Sequence, residues 1–92
     1  MDRRNRIFER LIADLPGESL PGQTVVELSD DRRALIENHN GISEYGRDKI
    51  CVRVRYGRVE IRGCGLEIAK MTREQVVIMG RIQSIALHRR GT

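Results

Sequence analysis

The sequence predicts a mainly β protein, a small antiparallel meander closed into a sandwich, roll or barrel of about seven or eight short strands. Apolar and polar residues alternate with a period of two from residue 24 onward, the pattern of half-buried strands. Gly, Asn or Asp stands at nearly every break in that pattern, as turns favour. The apolar residues are mostly Val, Ile and Leu, with no Trp and one Phe, and β-branched side chains suit packed sheets.

A short amphipathic helix is predicted over residues 1–15. Apolar side chains recur at helical spacing from Ile7 to Leu15, and Pro16 with Gly17 ends the pattern. The other face carries basic side chains, namely Arg3, Arg4, Arg6 and Arg10. This helix either packs on the domain or makes peripheral contact with a membrane or a partner, and both interpretations stay open. Residues 16–23, which contain two prolines and two glycines, form a linker.

The β domain is predicted over residues 24–88, with a tail over residues 89–92. Its strands read, in order, TVVEL, RALIENH, ISEYG, KICVRVRY, RVEIRG, LEIAKM, EQVVIMG and RIQSIALH, with SDDR as the first turn. Taking Tyr56–Gly57 as a two-residue turn places Arg53 opposite Glu60, an opposite-charge pair of the stabilising kind. Cys64–Gly65 is predicted to form the next turn.

The charge pattern is compatible with an anion-binding surface and with a surface of ion pairs. Fifteen of the seventeen basic residues are Arg, and thirteen acidic residues lie among them, for a net charge of +4. Arginine binds planar anions bidentately, although interleaved acids favour an ion-paired surface. The predicted contact surface on the strands consists of Arg53, Arg55 and Arg62. One alternative function is therefore a small basic β-barrel that binds single-stranded nucleic acid, but such proteins interleave aromatic side chains for base stacking, and few are present here.

No catalytic, metal or cofactor site is predicted. His39 lies beside Glu37, but Asn40–Gly41 is a dipeptide typical of a type I′ hairpin turn, so this segment is interpreted as a turn. Cys51 and Cys64 have no other soft ligands in zinc-binding spacing. No serine lies in a recognisable triad motif, and no phosphate-binding glycine motif follows a strand. The amino terminus lacks the apolar core of a signal peptide, so a cytoplasmic location is expected.

The order of several short motifs resembles the YabP/YqfC family of bacterial sporulation proteins, nearer the YqfC branch. The matching segments are IENHNGI at residues 36–42, GRVEIRG at 57–63, LEIAK at 66–70 and IMGRIQSI at 78–85. The resemblance covers roughly residues 15–87, and it departs from the family pattern at Thr24 and at Ser29–Asp30. The family-motif residues are Ile36, Glu37, Asn38, His39, Asn40, Gly41, Gly57, Gly63 and Gly80.

The resemblance implies a non-enzymatic role in endospore formation. Such proteins are made in the mother cell and act in spore envelope or coat assembly, and the YqfC branch is associated with a membrane-protein partner. The implied function is a structural or scaffold module near the outer forespore membrane. A homo-oligomer is also expected, because so small a β domain leaves sheet edges to cover.

Overall fold

The computed structural model describes residues 22–90, which form a single six-stranded antiparallel sheet. The mainly β, antiparallel class predicted from the sequence is confirmed. In chain order the strands are β1 Val25–Ser29, β2 Arg33–Glu37, β3 Ile42–Tyr45, β4 Lys49–Val54, β5 Gly57–Met71 and β6 Gln75–Arg89. The predicted helix over residues 1–15, its four arginines and nearly all of the linker lie outside the described residues.

The strand count over residues 22–90 is six, lower than predicted, because two expected turns lie inside long strands. Cys64–Gly65 falls within β5 and Gly80 within β6, and each of these strands has 15 residues. The glycines coincide with irregular pairing instead, since the β5–β6 register shifts between Arg62 and Gly63 and again between Cys64 and Glu67. Glycine in a strand marks a bulge or a bend as often as a turn.

The strand order is β1-β2-β6-β5-β4-β3, so the sheet is open, with β1 and β3 as its outer strands. The predicted closure into a sandwich, roll or barrel is therefore not confirmed. The long strands pair with their outer neighbours over part of their length. In β5 only residues 57–62 pair with β4, and in β6 only residues 75–79 pair with β2. We call β3, β4, and residues 57–62 and 84–89 the first half of the sheet. The second half comprises β1, β2, and residues 67–71 and 75–79.

The two halves contribute to one hydrophobic core. Its buried members are Ala34, Ile36, Ile50, Val52, Val54, Val59, Ile61, Leu66, Val76, Ile78 and Ile82. They come from β2, β4, β5 and β6, which places the inner faces of both halves against each other. Burying one such side chain contributes about 1.5–3 kcal/mol, so this shared core is the main stabilising feature of the fold.

Two turns close over the long strands where these bend. The β1–β2 turn accepts hydrogen bonds from the main-chain N–H groups of Gly80 and Ile82, and the β3–β4 turn accepts them from Gly63 and Leu66. Bulges leave main-chain groups without ladder partners, and buried N–H groups require acceptors. The turns supply those acceptors.

The structure contains no helix in residues 22–90 with the length and apolar character needed to cross a bilayer.

Candidate functional site

The family-motif segment from Ile36 to Gly41 connects the two halves of the sheet. Ile36 is buried in β2, Glu37 ends that strand, and Ile42 begins β3. The predicted type I′ hairpin at Asn40–Gly41 is wrong, because β2 pairs with β1 and β6 whereas β3 pairs with β4. The segment is a crossover between strands that are not neighbours. Its positive φ angles fall at Asn38 (62°) and Gly41 (110°).

His39 uses both ring nitrogens to hold this crossover in place. The Gly41 N–H donates to His39 Nδ1 at 3.0 Å, so Nδ1 carries no hydrogen. The hydrogen is then on Nε2, which donates to the Thr72 carbonyl oxygen at 2.8 Å. Because Thr72 lies in the β5–β6 turn, the ring links the crossover to the far end of the long hairpin. A histidine whose two nitrogens are both occupied by the main chain has a structural role here.

Asn38 adds two further links to the same region. Its main-chain N–H donates to the Glu74 carbonyl at 2.6 Å, and its side-chain amide donates to the Gln23 carbonyl. The turn that receives these bonds is itself ordered by Thr72, whose hydroxyl accepts from the Glu74 and Gln75 N–H groups. The motif residues therefore join the segment before β1, the crossover and the β5–β6 turn.

Gly57 and Gly63 are required by the close approach of β6. A Cβ on Gly57 would overlap the His88 carbonyl oxygen, and one on Gly63 would overlap that of Arg81. A Cβ on Gly80, the third glycine of the family motif in the strands, would lie 2.7 Å from the Gly65 carbonyl oxygen. These glycines serve strand packing, and no side chain could replace them without moving the backbone.

The β4–β5 hairpin differs in register from the prediction by two residues. Its two-residue turn is Arg55–Tyr56, since Gly57 belongs to β5 and lies opposite Val54. A shift of two keeps every side chain on its predicted face, but it changes the partners. The predicted opposition of Arg53 to Glu60 is wrong: Arg53 lies opposite Arg58, and Glu60 lies opposite Cys51.

The outer face of the first half carries a row of basic residues. Arg53 lies opposite Arg58, which lies opposite His88 on β6. Among residues 22–90, neither arginine forms an ion pair. The imidazole Nε2 of His88 is 3.8 Å from Glu60 Oε1 and has no hydrogen-bond partner in the described part of the chain.

The adjacent rows of the same face are neutralised. Arg62 Nε donates to Glu60 Oε2 at 2.8 Å, and Lys49 Nζ lies 2.9 Å from Glu44 Oε2. The hydrogen bond from Arg62 lowers the pKa of Glu60, and the bond to Glu44 raises the pKa of Lys49. Of the predicted contact residues, Arg53 and Arg55 are thus exposed without an ion pair among the described residues, whereas Arg62 is committed to Glu60.

A cleft of about 450 Å³ opens beside the basic row. Its polar lining comes from Asn40, Ser43, Arg53, Arg58, His88, Arg89 and Arg90, and its apolar wall includes Val54. The Arg89 guanidinium lies 5.6 Å from the centre of the Tyr56 ring. The Arg90 N–H donates to the Tyr56 carbonyl at 2.8 Å. The end of β6 is thereby fixed against the β4–β5 turn.

The contribution of β6 to this cleft was not predicted. The sequence predicts His88 in the last strand and Arg89 and Arg90 in the tail, and it contains no signal that aligns these residues with β4. The run HRR at residues 88–90 was the available hint. Its proximity to Arg53 depends on strand pairing across the sheet.

Both cysteines are free thiols in different surroundings. Cys51 is buried and Cys64 is exposed. Burial, as the largest cause, raises the pKa of Cys51. Within residues 22–90 no group of three or more His, Cys, Asp or Glu side chains is arranged to hold a metal ion.

Among residues 22–90, four strand edges have no strand partner on one side, and each carries an exposed large apolar side chain. They are β1 with Leu28, β3 with Tyr45, residues 67–71 of β5 with Met71, and residues 84–89 of β6 with Leu87. Leu87 is 59% exposed although it lies opposite the fully buried Val59. No other part of the described chain therefore covers the inner face of the sheet at Leu87.

These features define a small all-β domain whose glycines and polar crossover organise an open sheet. Comparison with family models matches the YabP family over residues 21–92, and the chain belongs to that sporulation-associated family. Comparison with curated proteins and with solved structures gave no match.

Proposed function

We propose that this chain is a non-enzymatic assembly module of spore formation, which acts through the open edge of β6. The observation that carries the proposal is the combination of residues 84–89, which have a strand partner on only one side within the described chain, with the exposed Leu87 beside them. An edge strand pairs readily with another strand. A second copy of this chain that added its own β6 would cover Leu87 and continue the sheet on both sides of a two-fold axis.

The family context and the YqfC-like motifs support the setting of this assembly. We place it in the mother cell, in spore envelope or coat formation, at the outer forespore membrane. The YqfC-branch resemblance further supports a membrane-protein partner. Self-association through one edge leaves β1 and β3 available for that partner, because each is an outer strand of the sheet.

The experiment is a measurement of molar mass by light scattering across micromolar concentrations. Leu87→Lys should weaken self-association at least tenfold, because a charge replaces an apolar contact at the centre of the interface. Met79→Lys is the matched control, since Met79 is 44% exposed but lies in a part of β6 that has strands on both sides. A wild-type chain that stays strictly monomeric, or equal loss in both variants, would contradict the proposal.

The proposed location and the proposed membrane-protein partner are tested separately in sporulating cells. A tagged chain should localise around the forespore, and an integral membrane protein should co-purify with the wild type and with Met79→Lys. A uniform distribution in the mother cell together with no such co-purification would argue against a role at the forespore membrane.

A further inference from the structure

We infer that the cleft formed by Arg53, Arg58, His88 and Arg90 binds a phosphate group. This goes beyond the assembly role and does not rest on it. The first observation is the direct opposition of Arg53 and Arg58 on neighbouring strands. Like charges placed directly opposite each other destabilise a sheet. The described chain supplies no acidic partner for either guanidinium, so a bound anion is the group that would relieve this repulsion.

The neighbouring acid cannot provide that relief. Glu60 lies on the next row of the outer face, where its Oε2 accepts from Arg62 at 2.8 Å and its Oε1 is 3.8 Å from His88 Nε2. Its charge is therefore already compensated. Arg32 and Arg47, in the turns, likewise have acidic partners in Asp31 and Glu67. Arg53 and Arg58, which line the cleft, have no such partner among the described residues.

The geometry of the cleft suits a doubly charged anion. Directly opposite residues have Cβ atoms about 5 Å apart, so two guanidinium groups on adjacent strands can contact different oxygens of one phosphate. Arginine presents planar pairs of donors that match phosphate oxygens. A single carboxylate is satisfied by one guanidinium, whereas this row offers two, with the His88 imidazole next in line.

The size of the cleft allows the phosphate to belong to a larger molecule. Its volume of about 450 Å³ lies within the range of small-ligand sites. Asn40 and Ser43 add hydrogen-bonding groups from the crossover and from β3, and Val54 adds apolar surface. The phosphate source is either a soluble phosphorylated compound or the headgroup of an anionic lipid, and the shared chemistry is recognition of the phosphate.

The test is calorimetric titration of the full chain with inorganic pyrophosphate, and sedimentation with phosphatidylcholine vesicles that contain or lack phosphatidic acid. Arg53→Gln and Arg58→Gln should each weaken binding roughly tenfold or more. Arg47→Gln is the control, because Arg47 lies in the β3–β4 turn and does not line the cleft. Saturable pyrophosphate binding identifies a soluble ligand as the source, and binding only to phosphatidic acid vesicles identifies a lipid.

A second readout separates binding from folding. Without any probe, Arg58→Gln should melt at the same temperature as the wild type or higher, since it removes a like-charge opposition. Absence of binding to both probes, or binding equally retained by Arg53→Gln and Arg58→Gln, would overturn the inference. Binding only to single-stranded oligonucleotides, with affinity that grows with length, would also overturn it in favour of a nucleic-acid surface.

Discussion

The two halves of the sheet share one inner core but differ on their outer faces. The first half is covered by charged side chains, including Lys49, Arg53, Arg58 and Arg62. In the second half the outer face also holds charged residues, such as Arg33 and Lys70. It includes, however, an apolar patch where Leu35 lies opposite Val77, which is only 6% exposed. An exposed charged surface tolerates substitution and can bind ions, whereas a buried apolar patch contributes to stability. The outer face of the first half should therefore tolerate substitution better than this patch, although both halves contribute to the core.

Gly63→Val should have the largest effect, because it acts where the two halves join. The added Cβ would overlap the Arg81 carbonyl on β6, and forced overpacking costs about 3 kcal/mol. Urea unfolding followed by circular dichroism measures the change. Gly65→Asn is the control, since a Cβ there meets no atom within 4 Å and the φ of 62° is one that Asn tolerates. Equal losses in the two variants would show that crowding against β6 is not the cause.

Val77→Asp should destabilise the second half by about 2 kcal/mol, because it buries a carboxylate, and an exposed pair with Lys70, the residue opposite on β5, compensates only part of that cost. Arg58→Asp places the same side chain on the outer face of the first half, opposite Arg53. It should leave stability unchanged or raise it, as opposite charges replace like charges. Thermal unfolding of both variants makes the comparison directly. If Arg58→Asp proved as damaging as Val77→Asp, the distinction between the outer faces would fail.

His39→Ala should lower the free energy of unfolding by about 1–2 kcal/mol, the contribution of two hydrogen bonds. Both bonds tie the crossover between the halves to the β5–β6 turn. His88→Ala is the matched control, since His88 Nε2 has no hydrogen-bond partner within residues 22–90, and a change within about 0.5 kcal/mol is expected. Chemical denaturation distinguishes them, and an unaffected His39→Ala would mean that the crossover holds its path without the ring.

The smallest effect concerns acid stability in the first half. The bond from Arg62 lowers the folded-state pKa of Glu60 below its ordinary value of 4.5. Its stabilising contribution is therefore present above pH 4.5 and is lost as the pH falls through the lower folded-state value. Glu60→Gln should flatten this acid limb while leaving its slope at neutral pH unchanged. Unfolding measured from pH 7 to pH 3 checks it, and an acid limb identical to that of the wild type would exclude Glu60 as its source.

Local patterns predicted the strands but not their connections. The alternation of apolar residues locates β1 to β4 and correctly puts Arg53 and Glu60 on one face, because side-chain direction depends only on the period of two. The predicted turn at Tyr56–Gly57 lies one position away from the observed turn at Arg55–Tyr56, since Gly57 belongs to β5, where it allows the close approach of β6.

The long-range features could not be read from neighbouring residues. The glycines at 63, 65 and 80 suggest turns in the sequence, and only the pairing of β5 with β6 shows that they lie at bends. The crossover at Asn38 depends on β2 pairing with β6, some forty residues further along the chain. The basic cleft depends on the same kind of pairing, which brings residues 88–90 beside Arg53 and Arg58.

The long β5–β6 hairpin has a consequence for how the domain comes apart. Residues 57–89 are one continuous stretch of chain that supplies strands to both halves. Because β5 and β6 run through both halves, one half cannot open without disturbing strands of the other. The domain should therefore unfold as one cooperative unit. Amide hydrogens of β2 and β4, although they belong to different halves, should then exchange with solvent at similar rates and through the same opening event.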